Sequence, residues 1–244
     1  MTLNLKQGNA MSDLLMTKTL MAWRFLYRRG FIEGFGHISA RLPGTDRFMV
    51  TRHSLGVEAN AEDFVIFDLD GNKLEGAGDP PGEYPIHLEV LRARPDVGCV
   101  IHYHGMYSTA FTTSGQTLRP IHLMGTLFHS GIPVYPDPKL VSDRVRGAAL
   151  AGVMGPHRAV LMRAHGATVT GASVEEAVAS AFLFEENAHR ACICAGLGKP
   201  VWIDDATAAD AGAELIKSRG PFRRVWAMVE AEDKQFDGRQ AGGS

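Results

Sequence analysis

The run Val97-Gly98-Cys99-Val100-Ile101-His102-Tyr103-His104-Gly105 constrains the fold of this chain more than any other segment. Apolar and β-branched residues in a short run that ends on a glycine predict a strand. Side chains alternate between the two sides of a strand, so His102 and His104 share one side while Ile101 and Tyr103 take the other. A sheet must therefore form with two imidazoles delivered to one face. Two neutral imidazoles are half of a divalent-metal site, because first-row metals take three or four such ligands. The rest of the chain has to bring the others.

The flanking sequence supplies the remaining elements. Residues 12–29 place Leu15, Leu20, Met21, Trp23, Phe25 and Leu26 at helical spacing and end on Arg28-Arg29-Gly30, which suits a helix C-terminus. His37–Arg41, Arg47–Thr51 and Asp63–Asp68 have strand character, and Asp70-Gly71 is a turn signal; together they predict an antiparallel start to the sheet. Pro85 opens a helix carrying Ile86, Leu88, Val90 and Leu91, and Pro95 stops it. A short helix is expected over Met106–Thr113, ending at Gly115. Asp137-Pro138 reads as the cap and first turn of a helix to about Leu150, with Val141, Val145, Ala148 and Ala149 on one face. Ala159–Ala164 reads as a strand along which Leu161, Arg163 and His165 alternate.

Ser173-Val174-Glu175-Glu176 has capping-box spacing and opens an Ala-rich helix to Ala195. Another helix is expected over Ala206–Ser218, ended by Gly220-Pro221. From Glu230 the composition turns polar and Gly-rich, which predicts a mobile tail over about 230–244. No repeat or linker divides the chain, so residues 1–244 are expected to form one domain.

Charge and composition narrow the partners. A net charge of −2 with no basic block argues against nucleic acid. No apolar run approaches the roughly 20 residues that span a bilayer, and Met1–Asn9 lacks a secretory pattern, so no membrane association is expected. Cys99, Cys192 and Cys194 are too few for a disulfide framework, and thiols kept reduced suit a cytoplasmic protein. A small molecule is the expected partner.

His165 is the natural third metal ligand, with Gly166 letting the backbone turn closely beside it. Glu83 is a fourth polar candidate at the start of the Pro85 helix, where the helix dipole favours a carboxylate and lowers its pKa. A single histidine in an apolar strand is ordinarily a hydrogen-bonded core group. Two on one strand face, joined by a His-Gly at the end of another strand, point instead to metal. Three histidines and an oxygen ligand suit manganese or zinc, and also iron or cobalt. His87, His122, His129, His157 and His189 are paired by no spacing and read as structural or surface groups.

Pro81-Gly82-Glu83-Tyr84-Pro85, Arg94-Pro95-Asp96-Val97 leading into Val100-Ile101-His102-Tyr103-His104, and Leu161-Met162-Arg163-Ala164-His165-Gly166 resemble, in order and spacing, the class II aldolase/adducin family. The resemblance runs from about Leu14 to Leu197. It implies a three-layer α/β/α fold with a mostly antiparallel central sheet, three histidine metal ligands and an acid/base glutamate. It also implies a homotetramer with sites at subunit interfaces.

The departures from the family pattern bear on the substrate. Sugar-phosphate aldolases of the family have Gly-Asn-x-Ser where this chain has Gly36-His37-Ile38-Ser39, a Thr-Pro-Ser/Thr-Gly loop where it has Thr51-Arg52-His53-Ser54, and Ser-Ser where it has Pro81-Gly82. Groups suited to a phosphate are replaced by cationic and planar ones. Arg52 can fork onto a carboxylate, and His37 and His53 can donate to anionic oxygens or pass protons. His37 and His53 stand evenly between site and scaffold on sequence grounds, and Arg41 and Arg52 can equally pair with local acids.

These segments are similar to the decarboxylase branch of the family, which acts on hydroxylated aromatic or pyridine dicarboxylates. The resemblance implies a metal-dependent nonoxidative decarboxylase with Glu83 or His37 delivering the proton and Arg52, His53 and Ser54 holding an aromatic dicarboxylate. The alternative is an aldolase or epimerase acting on a small hydroxy-carbonyl compound with the same metal ligands.

Overall fold

Strand β5 (Cys99–Tyr103) sits near the middle of an eight-stranded sheet, with every residue buried. The structure is a computed structural model describing residues 2–241. The sheet order is β4 (Lys73–Glu75), β3 (Phe64–Asp68), β2 (Arg47–Thr51), β1 (His37–Arg41), β5, β8 (Gly166–Gly171), β7 (Ala159–Met162) and β6 (Val134–Tyr135). Neighbouring strands are antiparallel except β6 and β7, which are parallel. Helices α1 (Thr2–Arg28), α5 (Val174–Leu197) and α7 (Gly220–Ala241) pack on one side, and α2 (Tyr84–Ala93) and α4 (Arg144–Met154) on the other. The helix α3 (Met106–Thr113) follows β5 and packs on α5, and α6 (Asp205–Ser218) precedes α7.

Strand alternation decides which residues serve which layer. Ile38, Ala40, Cys99, Ile101 and Tyr103 enter the core shared with Trp23, Phe25 and Phe184. Val50, Val100, Val160 and Met162 enter the opposite core with Ile86, Leu88 and Leu150. A fully buried side chain of this kind contributes about 1.5–3 kcal/mol. The same alternation sends His37, Ser39, His102 and Thr168 toward the α2 side, with His37 opposite His102 and His102 opposite Thr168 in the sheet register.

Helix α1 reaches back to Thr2, ahead of the expected residue 12, strands β4, β6 and β8 add to those expected, and three further elements differ from the sequence expectation. Helix α4 begins at Arg144, because Asp143 rather than Asp137 caps it by accepting from Arg146 N at 2.9 Å. Its buried face is Gly147, Leu150, Ala151 and Met154; Val145 is exposed, and Val141 precedes the helix. Strand β7 stops at Met162, and His165 lies in the tight turn to β8, with Ala164 in the left-handed region at φ +53°. Helix α6 ends at Ser218 as expected, and Gly220-Pro221 also opens a further helix, α7, since proline in a first turn forfeits no helical hydrogen bond. The segment expected as a tail from about Glu230 continues this helix to Ala241, with Asp233 buried and paired to Arg24 at 3.1 Å. Residues 242–244 lie outside the described residues.

Candidate active site

Four side chains from three places in the sequence meet at one end of the sheet. His102 comes from β5, His104 from just beyond it, His165 from the β7–β8 turn and Glu83 from the residue that caps α2. One nitrogen or oxygen from each falls within 4.8 Å of the others. Nε2 of His102 and Nε2 of His104 are 3.1 Å apart. Glu83 Oε2 stands 3.3 Å from His165 Nε2 and 3.6 Å from His102 Nε2.

The backbone makes this convergence possible through one close approach. A Cβ on Gly166 would come within 2.3 Å of Tyr103 O and 2.9 Å of His104 Cδ2, so only glycine lets the turn bring His165 against β5. The other end of the centre is held by α5. Glu185 Oε1 accepts from Tyr107 N at 2.7 Å and Ser108 N at 3.2 Å, capping α3 immediately after His104-Gly105. Burial raises the pKa of Glu185, and its Oε2 is buried without a partner. Nothing in the sequence pattern signalled this residue.

Electrostatics favour the metal-binding forms of His102, His104 and Glu83. Burial first, then the neighbouring His37, holds His102 well below the usual imidazole value, and burial with His165 lowers His104. Burial opposes ionisation of Glu83, but the adjacent His165 and His102 and the Val141 N–H, 2.8 Å from Oε1, outweigh it and bring its pKa to about 2. Neutral imidazoles and an ionised carboxylate are what a divalent cation requires. Nε2 of His165, the ring atom facing Glu83, is buried without a hydrogen bond, which inside a folded chain points to a ligand it is built to meet. His102 Nδ1 lies 3.3 Å from Thr168 Oγ1, a contact that orients the ring from behind. The donor set fits a divalent metal ion.

A cavity of about 200 Å³ opens beside this centre. It is lined by His37, Arg52, His53, Ser54, Glu83 and His104, so the expected substrate-binding residues adjoin the expected ligands. Phe35 and Leu140, both largely exposed, flank its mouth, and the Phe35 ring stacks on His104 with centroids 6.1 Å apart. The local-acid reading of Arg52 also holds in part. Its Nε donates to Asp63 at 2.5 Å and Nη1 reaches His53 O at 3.4 Å, while Nη2 has no protein partner among the described residues. His53 Nδ1 contacts Ser54 Oγ at 2.5 Å. Arg41, by contrast, is a scaffold group that donates to Val97 O at 3.2 Å.

His87, which the sequence offers as a structural or surface group, is a buried structural group that lies behind the site. It is fully buried, with Nε2 2.6 Å from His37 Nδ1 and Nδ1 2.7 Å from Ser39 Oγ. Burial lowers its pKa to about 3, and burial together with His87 holds His37 well below its usual value. The signal available in the sequence was its position four residues after Glu83, one helical turn on. A second cavity, of about 250 Å³, lies elsewhere, but its cations are already paired, Arg94 with Asp96 and Arg158 with Glu176.

Among the described residues no helix is long and apolar enough to cross a membrane. The family model for the class II aldolase and adducin N-terminal domain matches residues 18–192. A 3,4-dihydroxyphthalate decarboxylase of Arthrobacter keyseri is 38% identical over 175 residues, 66% of this chain and 71% of that protein. One of Rhodococcus jostii is 34% identical over 202 residues, 76% of this chain and 82% of that protein. In fold, the chain is similar to an aldolase II superfamily protein from Pseudomonas syringae, with a TM-score of 0.79, 23% identity and coverage of 89% and 91%. It is likewise similar to an L-fuculose 1-phosphate aldolase from Glaciozyma antarctica, with a TM-score of 0.78, 20% identity and coverage of 91% and 90%. The chain belongs to the class II aldolase and adducin family, in its decarboxylase branch.

Proposed function

We propose that this chain is a divalent-metal-dependent carboxy-lyase that removes, without oxidation, the carboxylate ortho to the hydroxyl of a hydroxylated benzene or pyridine dicarboxylate. The observation that carries this reading is the meeting of Arg52, His53 and His37 with the three-histidine centre on one small cavity. The names of the two decarboxylase relatives support the same substrate class.

His102, His104 and His165 would hold the ion, for which manganese or zinc suits best and iron or cobalt is also suitable. Such an ion supplies a Lewis acid for the negative charge that builds when the carbon–carbon bond breaks. The chain's own groups do the rest. Glu83 is fixed through Oε1 by Val141 N, which leaves Oε2 on the histidine side. It and His37 are our candidates for passing the ring carbon the proton that replaces the departing carbon dioxide; Glu83, ionised at rest, would first take that proton from the substrate hydroxyl or from water.

Arg52 is paired through Nε with Asp63 and would offer Nη2 to the second carboxylate, with His53 and Ser54 beside it. A cation already fixed by the protein orients the ring without first losing its own freedom, which is how a positioning group lowers a barrier. Phe35 and Leu140 give the planar ring apolar surface at the mouth.

The test is an oxygen-free incubation of the metal-loaded protein with 3,4-dihydroxyphthalate. The reading expects one carbon dioxide per substrate consumed. No carbon dioxide, together with cleavage of a small hydroxy-carbonyl compound to an aldehyde, would replace it with the aldolase alternative.

A further inference from the structure

We propose that Ser39 and His87 form a hydrogen-bond relay that fixes His37 in the tautomer carrying its hydrogen on Nε2, so that His37 meets the substrate as a hydrogen-bond donor. The inference rests on the decarboxylase reading of the site and assigns His37 a task within it: holding an anionic oxygen of the substrate, which leaves the relaying of the proton to Glu83.

The relay follows from the fold. His37 and Ser39 are two apart on β1 and so share the face turned to α2. One turn of α2 beyond Glu83 places His87 over both. The resulting contacts are short, 2.6 Å from His37 Nδ1 to His87 Nε2 and 2.7 Å from His87 Nδ1 to Ser39 Oγ. Ser39 and His87 are fully buried and His37 is 4% exposed, so water does not substitute for a missing partner along the chain of contacts.

Each contact holds one hydrogen, and the direction is set at the inner end. Among the described residues Ser39 Oγ has no hydrogen-bond partner other than His87 Nδ1. Leaving a buried hydroxyl hydrogen unpaired costs about 1–3 kcal/mol, so the hydroxyl donates to Nδ1. A neutral imidazole carries one N–H. His87 therefore carries its hydrogen on Nε2 and donates it to His37 Nδ1, and His37 in turn carries its own on Nε2. That atom has no protein partner among the described residues and is not one of the buried unpaired atoms, and His37 lines the cavity. The reverse arrangement would strand the Ser39 hydrogen in the core.

A neutral imidazole N–H aimed into a cavity stabilises oxygen charge as it develops, without a proton changing hands. His87 and Ser39 are positioning residues in this scheme, acting only through His37.

The test has two arms. Nitrogen-15 NMR of histidine-labelled, zinc-loaded protein, with His37 assigned by its loss in a His37→Asn variant, should show the protonated nitrogen at Nε2 and the bare one at Nδ1. Protonation at Nδ1 overturns the proposal. In steady-state kinetics with 3,4-dihydroxyphthalate, His87→Leu should lower kcat/KM about tenfold or more with bound zinc unchanged, the effect of losing one hydrogen bond to a charged oxygen. His87→Gln, whose amide can still donate to His37 Nδ1, should recover most of that loss. Equal loss in both variants with zinc retained would show that His87 only packs, and would overturn the proposal. If the wild-type protein releases no carbon dioxide, the decarboxylase reading fails while the NMR arm still decides the tautomer.

Discussion

Gly166→Ala is the smallest change that tests how the metal centre is assembled. The added Cβ would stand 2.3 Å from Tyr103 O and 2.9 Å from His104 Cδ2, both inside the 3.0 Å that real Cβ contacts tolerate. One of the two is backbone in the central strand, so relief requires β8 and β5 to move apart by several tenths of an ångström. Overpacking of this kind costs typically 1–3 kcal/mol. For a chain of this size about 2 kcal/mol lowers the melting temperature by roughly 4–8 °C. The displaced ring is a proposed ligand, so zinc affinity should fall by about 10–100-fold, the range seen when a ligand loses its support. Thermal unfolding of the metal-free variant and a zinc titration of the folded variant measure the two effects separately. Wild-type stability together with wild-type zinc affinity would refute the claim that this approach positions the centre.

His102→Ala removes the most buried of the three proposed ligands, and elemental analysis should find bound metal lost; full retention would place the metal elsewhere. Arg52→Ala should keep its metal yet lose about 10–100-fold in kcat/KM on a dicarboxylate, as one charged hydrogen-bonding partner disappears, and unchanged turnover would exclude Arg52 as the holder. Glu185 has a pKa raised by burial, so the folded state keeps its proton at a pH where the unfolded chain has lost it. The stability this group contributes is full below the unfolded carboxylate value and falls as pH rises through the folded one. Glu185→Gln removes that loss, so in the metal-free protein the variant should gain in melting temperature relative to wild type between pH 4 and pH 8. A gap that does not change with pH would contradict the raised pKa.

Much of the scaffold was legible because its signals are local. The strands His37–Arg41 and Arg47–Thr51 and the helix Met106–Thr113 have the bounds the turn and breaker residues suggest. The errors arose where two local signals compete and a tertiary contact decides. Asp137-Pro138 and Asp143 can both cap a helix; Asp143 does so through Arg146 N, while Asp137 accepts from Lys139 N at 3.1 Å in the preceding loop. Gly220-Pro221 marks the end of α6 as expected, and burial of Phe222, Val225 and Val229 carries the chain on into α7, where a tail was expected from about Glu230.

The same division runs through the site. His102, His104 and His165 were found by residue type and spacing, although His165 reaches the centre from a turn rather than along a strand. Arg52, His53 and His37 were found through their departure from a phosphate-binding pattern. His87 and Glu185 were missed because each acts on a partner about 50 or 80 residues away in sequence, across a packing interface that no local pattern reveals.

The central claim is that a carboxylate leaves and a proton takes its place on the ring. The reaction of the metal-loaded protein with 3,4-dihydroxyphthalate in deuterium oxide, without oxygen, tests it most directly by mass spectrometry and NMR of the product. The account predicts one carbon dioxide per substrate and one deuterium at the vacated ring carbon, both lost when the metal is removed by a chelator. Product formation that survives complete metal removal, or a product that keeps both carboxylates, would contradict it.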